Sequence, residues 1–247
     1  MHILIAGGHG QVARHLTRRL AARGDSVTGL IRTADQRADL EDDGARPVVL
    51  DLEQCTVDEL AAVVRGTDAV VFAAGGGPGS GIARKDTVDR AAAVLLADAA
   101  EAAGVRPYLL VSSMGVESVA GGATPEGVDE VFVAYLRAKL AAEEAVLPRP
   151  GLDTAVLRPG RLTDDPGTGR VTLQRHVERG DVPRADVAAV LAALLAHPSP
   201  GAVLELVSGA DPVEEAVAAL PEPPCAGRAS RRARVTRARA ASWSSAG

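Results

Sequence analysis

The chain contains two tyrosines and two lysines, and one of each stands four residues apart in Tyr135-Leu136-Arg137-Ala138-Lys139. Composition alone would produce that spacing only about 2% of the time. On a helix, positions i and i+4 share a face, which would set a phenolic O–H beside an ammonium group. A second constellation opens the chain, Ala6-Gly7-Gly8-His9-Gly10-Gln11-Val12-Ala13, between an apolar run and an Ala-rich stretch. Gly7 permits a tight turn, Gly10 lets the backbone approach a diphosphate without a Cβ in the way, and Ala13 lets the following helix pack close to a sheet. The helix start at Gln11 and Val12 then aims free N–H groups and a positive dipole end at the phosphates. Gly7, His9, Gly10, Gln11 and Val12 therefore form the candidate cradle of a nicotinamide dinucleotide, with His9 either positioning the turn or standing by.

The residue ending the second predicted strand bears on which dinucleotide. An acid there would accept hydrogen bonds from a ribose 2′-hydroxyl and repel a 2′-phosphate. This chain has Arg32 instead, with Thr33 and Arg37 nearby. A guanidinium pairs well with phosphate, so NADP(H) is expected in preference to NAD(H), with NAD(H) still admitted. Lys85, which follows the glycine-rich run Gly75–Gly81 near the expected nicotinamide end, is read as a solvated lysine, with a contact to phosphate or substrate as the alternative.

The G-x-x-G-x-x-A spacing, the Y-x-x-x-K pair and several further runs resemble the atypical short-chain dehydrogenase/reductases, the NAD(P)-binding or epimerase-like group. Those runs are Leu30-Ile31-Arg32, Leu50-Asp51-Leu52, Ala73-Ala74-Gly75, Leu110-Val111-Ser112-Ser113, Leu157-Arg158-Pro159-Gly160, Leu162-Thr163-Asp164-Asp165 and Arg184-Ala185-Asp186-Val187-Ala188. The resemblance covers roughly residues 1–215. It implies that Tyr135 moves the proton of a carbonyl or hydroxyl. Lys139 would favour tyrosinate and hold the nicotinamide ribose, and a serine at the end of strand five, Ser113 in preference to Ser112, would hold the substrate oxygen. Asp89 takes the place where many members carry Asn, which puts the usual proton-relay water in question. Asp51 and Leu52 would lie beside the adenine, with an alternative role for Asp51 as a turn cap. Ala73, Ala74, Gly75 and Pro159 would line the nicotinamide half, with Arg158, Pro159 and Gly160 closing the cleft floor. Met114 and Gly115 would leave the rim beside Ser113 rather apolar.

Alternating short β-branched runs and Ala-rich runs must position these residues. Strands are predicted near 2–6, 26–31, 46–50, 68–73, 107–112, 153–158 and 203–207, and helices near 11–23, 34–43, 56–64, 86–103, 129–147, 184–196 and 212–219. Strict β–α alternation with strands apolar on both faces selects an α/β, Rossmann-type doubly wound parallel sheet. The short stretch after residue 159 leaves room for only a small C-terminal substrate region.

The domain is expected over residues 1–220, with 221–247 as a basic, disordered tail. The tail holds six arginines and one acid, for a charge of +5, while residues 1–220 carry 21 basic and 31 acidic residues, for −10. An acidic body argues against nucleic acid as a partner. No apolar run reaches the roughly 18–20 residues of a membrane span. Cys55 and Cys225 lack partner spacing, and the five histidines (His2, His9, His15, His176, His197) show no metal-ligand spacing. With no signal-peptide pattern, a cytoplasmic protein with a small-molecule substrate is expected, and a homodimer follows from the resemblance alone. The competing functions are an oxidoreductase or epimerase, a non-catalytic NADP(H) sensor, and a flavin or quinone reductase that does without Tyr135.

Overall fold

Ile3, Leu4, Ile5 and Ala6 are all fully buried. A strand achieves that only where layers cover both faces of its sheet. The computed structural model describes residues 1–77 and 79–221. The expectation for the basic tail thus concerns residues that, apart from Pro221, lie outside those described.

Seven strands form the parallel part: β1 (His2–Ala6), β2 (Ser26–Ile31), β3 (Ala45–Val49), β4 (Ala69–Phe72), β5 (Pro107–Val111), β6 (Asp153–Pro159) and, after three shorter strands, β10 (Val203–Ser208). The shorter strands are β7 (Arg161–Thr163), β8 (Arg170–Gln174) and β9 (Asp181–Pro183), and β11 (Asp211–Pro212) comes last. The main sheet runs β11-β8-β10-β6-β5-β4-β1-β2-β3, while β7 and β9 make a separate parallel pair. This is the Rossmann-like α/β architecture expected. It differs at one edge, where β8 pairs antiparallel with both β10 and β11. The sequence reading missed β7, β8, β9 and β11 for a physical reason. Three of them have only two or three residues, too few for alternation to register, and β8 buries only Val171 and Leu173.

Side-chain alternation sorts the two layers. Ile3, Ile5, Val27, Val71 and Leu157 pack against α1 (Gln11–Ala22), α7 (Arg184–Ala196) and α8 (Val213–Ala218), and Leu40 of α2 (Arg37–Asp42) joins them. Leu4, Ala6, Val70, Phe72 and Leu110 pack against α3 (Val57–Val64), α5 (Ala92–Ala103) and α6 (Glu130–Val146). Tyr108 is fully buried in this second layer and donates its hydroxyl to Ala93 O at 2.8 Å. Burial pushes its phenol above the usual tyrosine range, which makes it structural.

The helix predicted from residue 86 starts earlier. A short α4 (Ile82–Arg84) leads into a π-helical turn, Lys85–Ala91, that runs on into α5. Further along, the two late sequence motifs act together. Buried Asp186 accepts from the N–H groups of Thr168 and Gly169 at 2.9 and 2.8 Å, and Arg184 reaches Asp164 at 2.7 Å. They pin the 164–169 loop to the first turn of α7.

Every residue of α7 from Asp186 to Leu195 is buried. Leu191→Ala should therefore cost about 2–5 kcal/mol, read as a lower urea midpoint at unchanged slope in chemical denaturation.

Candidate functional site

The topology reverses between β1 and β4, and the crevice outside the strand ends at such a reversal is where an α/β sheet binds ligands. Gly7 sits there with φ +79°, and a Cβ on it would stand 2.6 Å from Ala74 Cα. Glycine is therefore required both by conformation and by contact. Gly10 caps α1 with no side chain in the way, and the first turn of the helix carries no acid. The free N–H groups at Gln11 and Val12 thus face no competing negative charge from that turn.

A cleft of about 330 Å³ runs over this turn. Of the expected cofactor residues, Gly7, His9, Gly10, Arg32, Asp51, Leu52, Ala73, Ala74 and Gly75 line it, while Gln11, Val12, Lys139 and Pro159 do not. Pro159 instead ends β6, pairs with Leu206 and accepts from Met114 N–H at 3.0 Å. Arg32 is exposed, and among the described residues no carboxylate pairs with it. Asp51 takes the turn-cap role foreseen as its alternative. Its Oδ1 accepts from Glu53 N–H at 3.0 Å, and it lines the cleft. His9 Nε2 lies 2.7 Å from Asp39 Oδ2 and Gln36 lies on its other ring nitrogen at 3.3 Å, so His9 ties the glycine turn to the segment after β2. That hydrogen bond holds the Asp39 carboxyl below its usual range.

Sequence reasoning missed Gln36, Glu53, Arg84 and Val88, which also line the cleft. Glu53 accepts from Thr87 Oγ1 at 2.6 Å and pairs with Arg84 at 3.1 Å. These contacts join segments more than 30 residues apart, and no local spacing announces them. A glycine cradle that a Cβ would fill, a helix start without an acid and an unpaired arginine at the far end fit a phosphate-bearing dinucleotide.

Beyond Ala74 the second constellation begins. Asp129 caps α6, accepting from Phe132 N–H at 3.0 Å. The helix then presents Tyr135, Lys139 and Glu143 on one stripe, each four residues from the last. Lys139 Nζ donates to Val111 O at 3.0 Å and Ala74 O at 3.3 Å, and stands 3.3 Å from Asp89 Oδ1. Two of its donors are thus used on backbone carbonyls, while Asp89 Oδ1 has no hydrogen-bond partner among the described residues, so a third donor is left for a ribose contact of the kind the family pattern implies. Asp89 is fully buried, and its other oxygen accepts from Gly76 N–H at 3.0 Å. Lys139 Nζ lies 5.9 Å from the Tyr135 ring centroid. The Tyr135 hydroxyl has no hydrogen-bond partner among the described residues.

Lys85 corrects its sequence reading. Far from being solvated, it is 9% exposed, with Nζ donating to Gly77 O at 2.9 Å and lying 5.5 Å from the Tyr135 ring centroid. The π-helical turn aims it inward, an irregularity that composition cannot show.

The two candidate serines separate. Ser112 is buried and its hydroxyl is bonded to Glu143. That correction removes Ser112 from the open cleft, because a buried network uses it. Ser113 is half-buried and makes one local bond, to Met114 O at 3.1 Å. Glu143 also accepts from Arg158 Nη2 at 2.6 Å, and Arg158 Nη1 reaches Glu117 at 2.6 Å. Glu117, His176 and Glu205 come within 4.8 Å of one another, a grouping that histidine spacing alone did not reveal. Glu117 already serves Arg158 there, and Glu205 accepts from Val177 N–H at 3.0 Å. The rim at Gly115, expected to be apolar, carries a charge, since Arg179 Nη2 would stand 3.0 Å from a Cβ on Gly115.

This fold and cleft define an NAD(P)-binding protein of the Rossmann-type oxidoreductase and epimerase-like class. The chain belongs to the NAD(P)H-binding family, whose model matches residues 7–198. It is 32% identical over 219 residues to the uncharacterized sugar epimerase YhfK of Bacillus subtilis, covering 88% of this chain and 99% of that one. A solved structure from Bacillus halodurans, provisionally named an NAD-dependent epimerase/dehydratase, superposes with TM-score 0.79 at 32% identity, covering 89% of this chain and all of that one. ChuY, an anaerobilin reductase from Escherichia coli O157:H7, superposes with TM-score 0.71 at 28% identity, covering 84% and 97%.

Arg158→Met should cost about 3–5 kcal/mol, because Glu143 is left buried and unpaired. The double change Arg158→Met with Glu143→Leu should recover most of that loss, and urea denaturation of the single and double variants checks the coupling.

Proposed function

We propose that the chain is an NADP(H)-dependent oxidoreductase or epimerase that acts on a small carbonyl or hydroxyl compound. One observation carries the reading. Lys139, on the Tyr135 helix, donates to the carbonyl of Ala74, and Ala74 lines the same cleft that passes the glycine turn and reaches Arg32. The free backbone N–H groups at Gln11 and Val12, at the start of α1, would hold the diphosphate over the glycine turn. Arg32 would pair with the 2′-phosphate, Asp51 and Leu52 would flank the adenine, and Ala73–Gly75 would border the nicotinamide. When bound, the nicotinamide supplies or accepts hydride at the substrate carbon.

The protein's own residues then handle the proton. Tyr135 gives it to, or takes it from, the substrate oxygen, and the Ser113 hydroxyl steadies that oxygen. The Lys139 ammonium lies on the same helix face, 5.9 Å from the Tyr135 ring centroid, where it would help hold the nicotinamide ribose. Asp89 holds Lys139 in place, which makes it a positioning residue.

A second reading has an observation of its own. The Tyr135 hydroxyl is unbonded among the described residues and Lys139 uses two donors on backbone carbonyls, an arrangement that suits hydride delivery to a flavin or quinone-like acceptor without Tyr135. The reductase among the structural neighbours supports it.

Titration by nicotinamide fluorescence tests the cofactor assignment. NADPH should bind more tightly than NADH. Arg32→Asp should weaken NADPH by about 10–100-fold, the worth of a charge-assisted contact, and leave NADH nearly unchanged. Equal weakening of both would remove Arg32 from the 2′-phosphate. For the chemistry, Tyr135→Phe should lower carbonyl turnover at least about 100-fold at unchanged NADPH affinity. Full turnover in that variant would transfer the reading to the Tyr-independent reductase.

A further inference from the structure

We infer that Lys85 is the anion-binding residue of the substrate site, and that the substrate carries a carboxylate beside the carbon that reacts. The inference rests on the reading above for where the substrate lies, and on the charges around Tyr135 for what it must carry.

Two ammonium groups flank the Tyr135 ring, Lys85 at 5.5 Å and Lys139 at 5.9 Å from its centroid. Both are at least nine-tenths buried. One carboxylate answers them, Asp89, and it stands against Lys139 at 3.3 Å with its second oxygen on Gly76 N–H. The other nearby acids are engaged elsewhere, Asp86 with Arg90 at 2.7 Å and Glu53 with Arg84 at 3.1 Å. Among the described residues Lys85 therefore faces no carboxylate, and one of its three donors is used, on Gly77 O. The pocket holds one surplus positive charge, and an unpaired buried charge is expensive.

An anion from outside can supply the missing partner. A phenolate at Tyr135 does not serve, because neither ammonium hydrogen-bonds the Tyr135 oxygen among the described residues and both lie over the ring. The cofactor phosphates do not serve either. Their cradle is the Gly7–Val12 turn, and Lys85 is not among the residues lining that cleft. What remains is the substrate, on the Tyr135 side. A compact ammonium with two free donors suits one carboxylate oxygen and a neighbouring carbonyl, where an arginine fork would demand both carboxylate oxygens in one plane.

The composition makes the test clean, because Lys85 and Lys139 are the only lysines. Full-length protein labelled with ¹³C at the lysine ε-carbons gives two side-chain signals, and Lys85→Met assigns them by deleting one. The NADPH-mixed protein is titrated with acetate, pyruvate and benzoate, then with acetamide, acetone and benzamide, at matched sodium chloride. The expected result is a saturable shift of the Lys85 signal with at least one carboxylate and none with its neutral counterpart. In parallel, NADPH oxidation should favour pyruvate, whose carboxylate adjoins the carbonyl carbon, over acetone by about 10–100-fold in kcat/KM, and Lys85→Met should lower that ratio.

Indifference of Lys85 to every carboxylate, or a shift confined to Lys139, overturns the proposal. If NADPH binds while Lys85 stays indifferent, the anion site falls and the oxidoreductase reading stands. If Lys85 responds to carboxylates and NADPH does not bind, the anion site stands and the oxidoreductase reading falls.

Discussion

Gly7 approaches the end of β4 so closely that only hydrogen fits between them, with a notional Cβ 2.6 Å from Ala74 Cα. Both halves of the site depend on that approach. It sets the phosphate turn against the carboxyl end of β4, where the sheet changes direction. It also fixes the Ala74 carbonyl, which accepts from Lys139 at 3.3 Å. Any side chain at Gly7 would push the turn outward and loosen α1 and the Lys139 anchor together. The cleft and the Tyr135 region are thus coupled through backbone.

Buried charge then sets the rotation of α6. The helix is rich in alanine and has little shape of its own, yet Lys139 and Glu143 are both nearly inaccessible on one stripe. Each meets an opposite charge from a different element, Asp89 for Lys139 and Arg158 for Glu143. Turning the helix by one residue, about 100°, would carry both away from their partners and leave the buried charges of Lys139, Asp89 and Glu143 unanswered, with Arg158 keeping only Glu117. That penalty exceeds anything small side chains could impose by packing. The same stripe carries Tyr135, so the pairs that fix the helix also aim the phenol.

How much of this the sequence disclosed follows from the range of each interaction. The parallel strands, their helices and the glycine turn were readable, because buried strands are apolar throughout and a turn's glycines are adjacent. Tyr135 and Lys139 were readable because a helix converts a spacing of four into proximity. Asp89 came through family likeness, and its pairing with Lys139 spans 50 positions that no local pattern encodes. Glu143 was not singled out in the sequence, and Arg158 was read only as part of the cleft floor. Arg84 and Glu53 meet across a loop and left no local trace. Lys85 was misread because a π-helical turn reorients it, and such a turn has no composition of its own. The short strands at the far edge, β7, β9 and β11, were too brief to alternate.

With an aromatic share of 2%, this scaffold has few flat surfaces on which to stack a ring, and Tyr108 is consumed in the core. Its recognition chemistry has to come from charge. The segment between β6 and β10 brings Arg179 against Gly115 and His176 against Glu117, next to the rim that holds Ser113. From the opposite side the π-helical turn brings Lys85 and Asp89. If the proposed site is the substrate site, it would discriminate by matching or refusing charge, since leaving a buried ion unpaired costs more than losing a methylene contact. The charges around Tyr135 and Ser113 thus come from the two segments that regular β–α alternation does not dictate, the turn at Lys85–Ala91 and the stretch after Pro159.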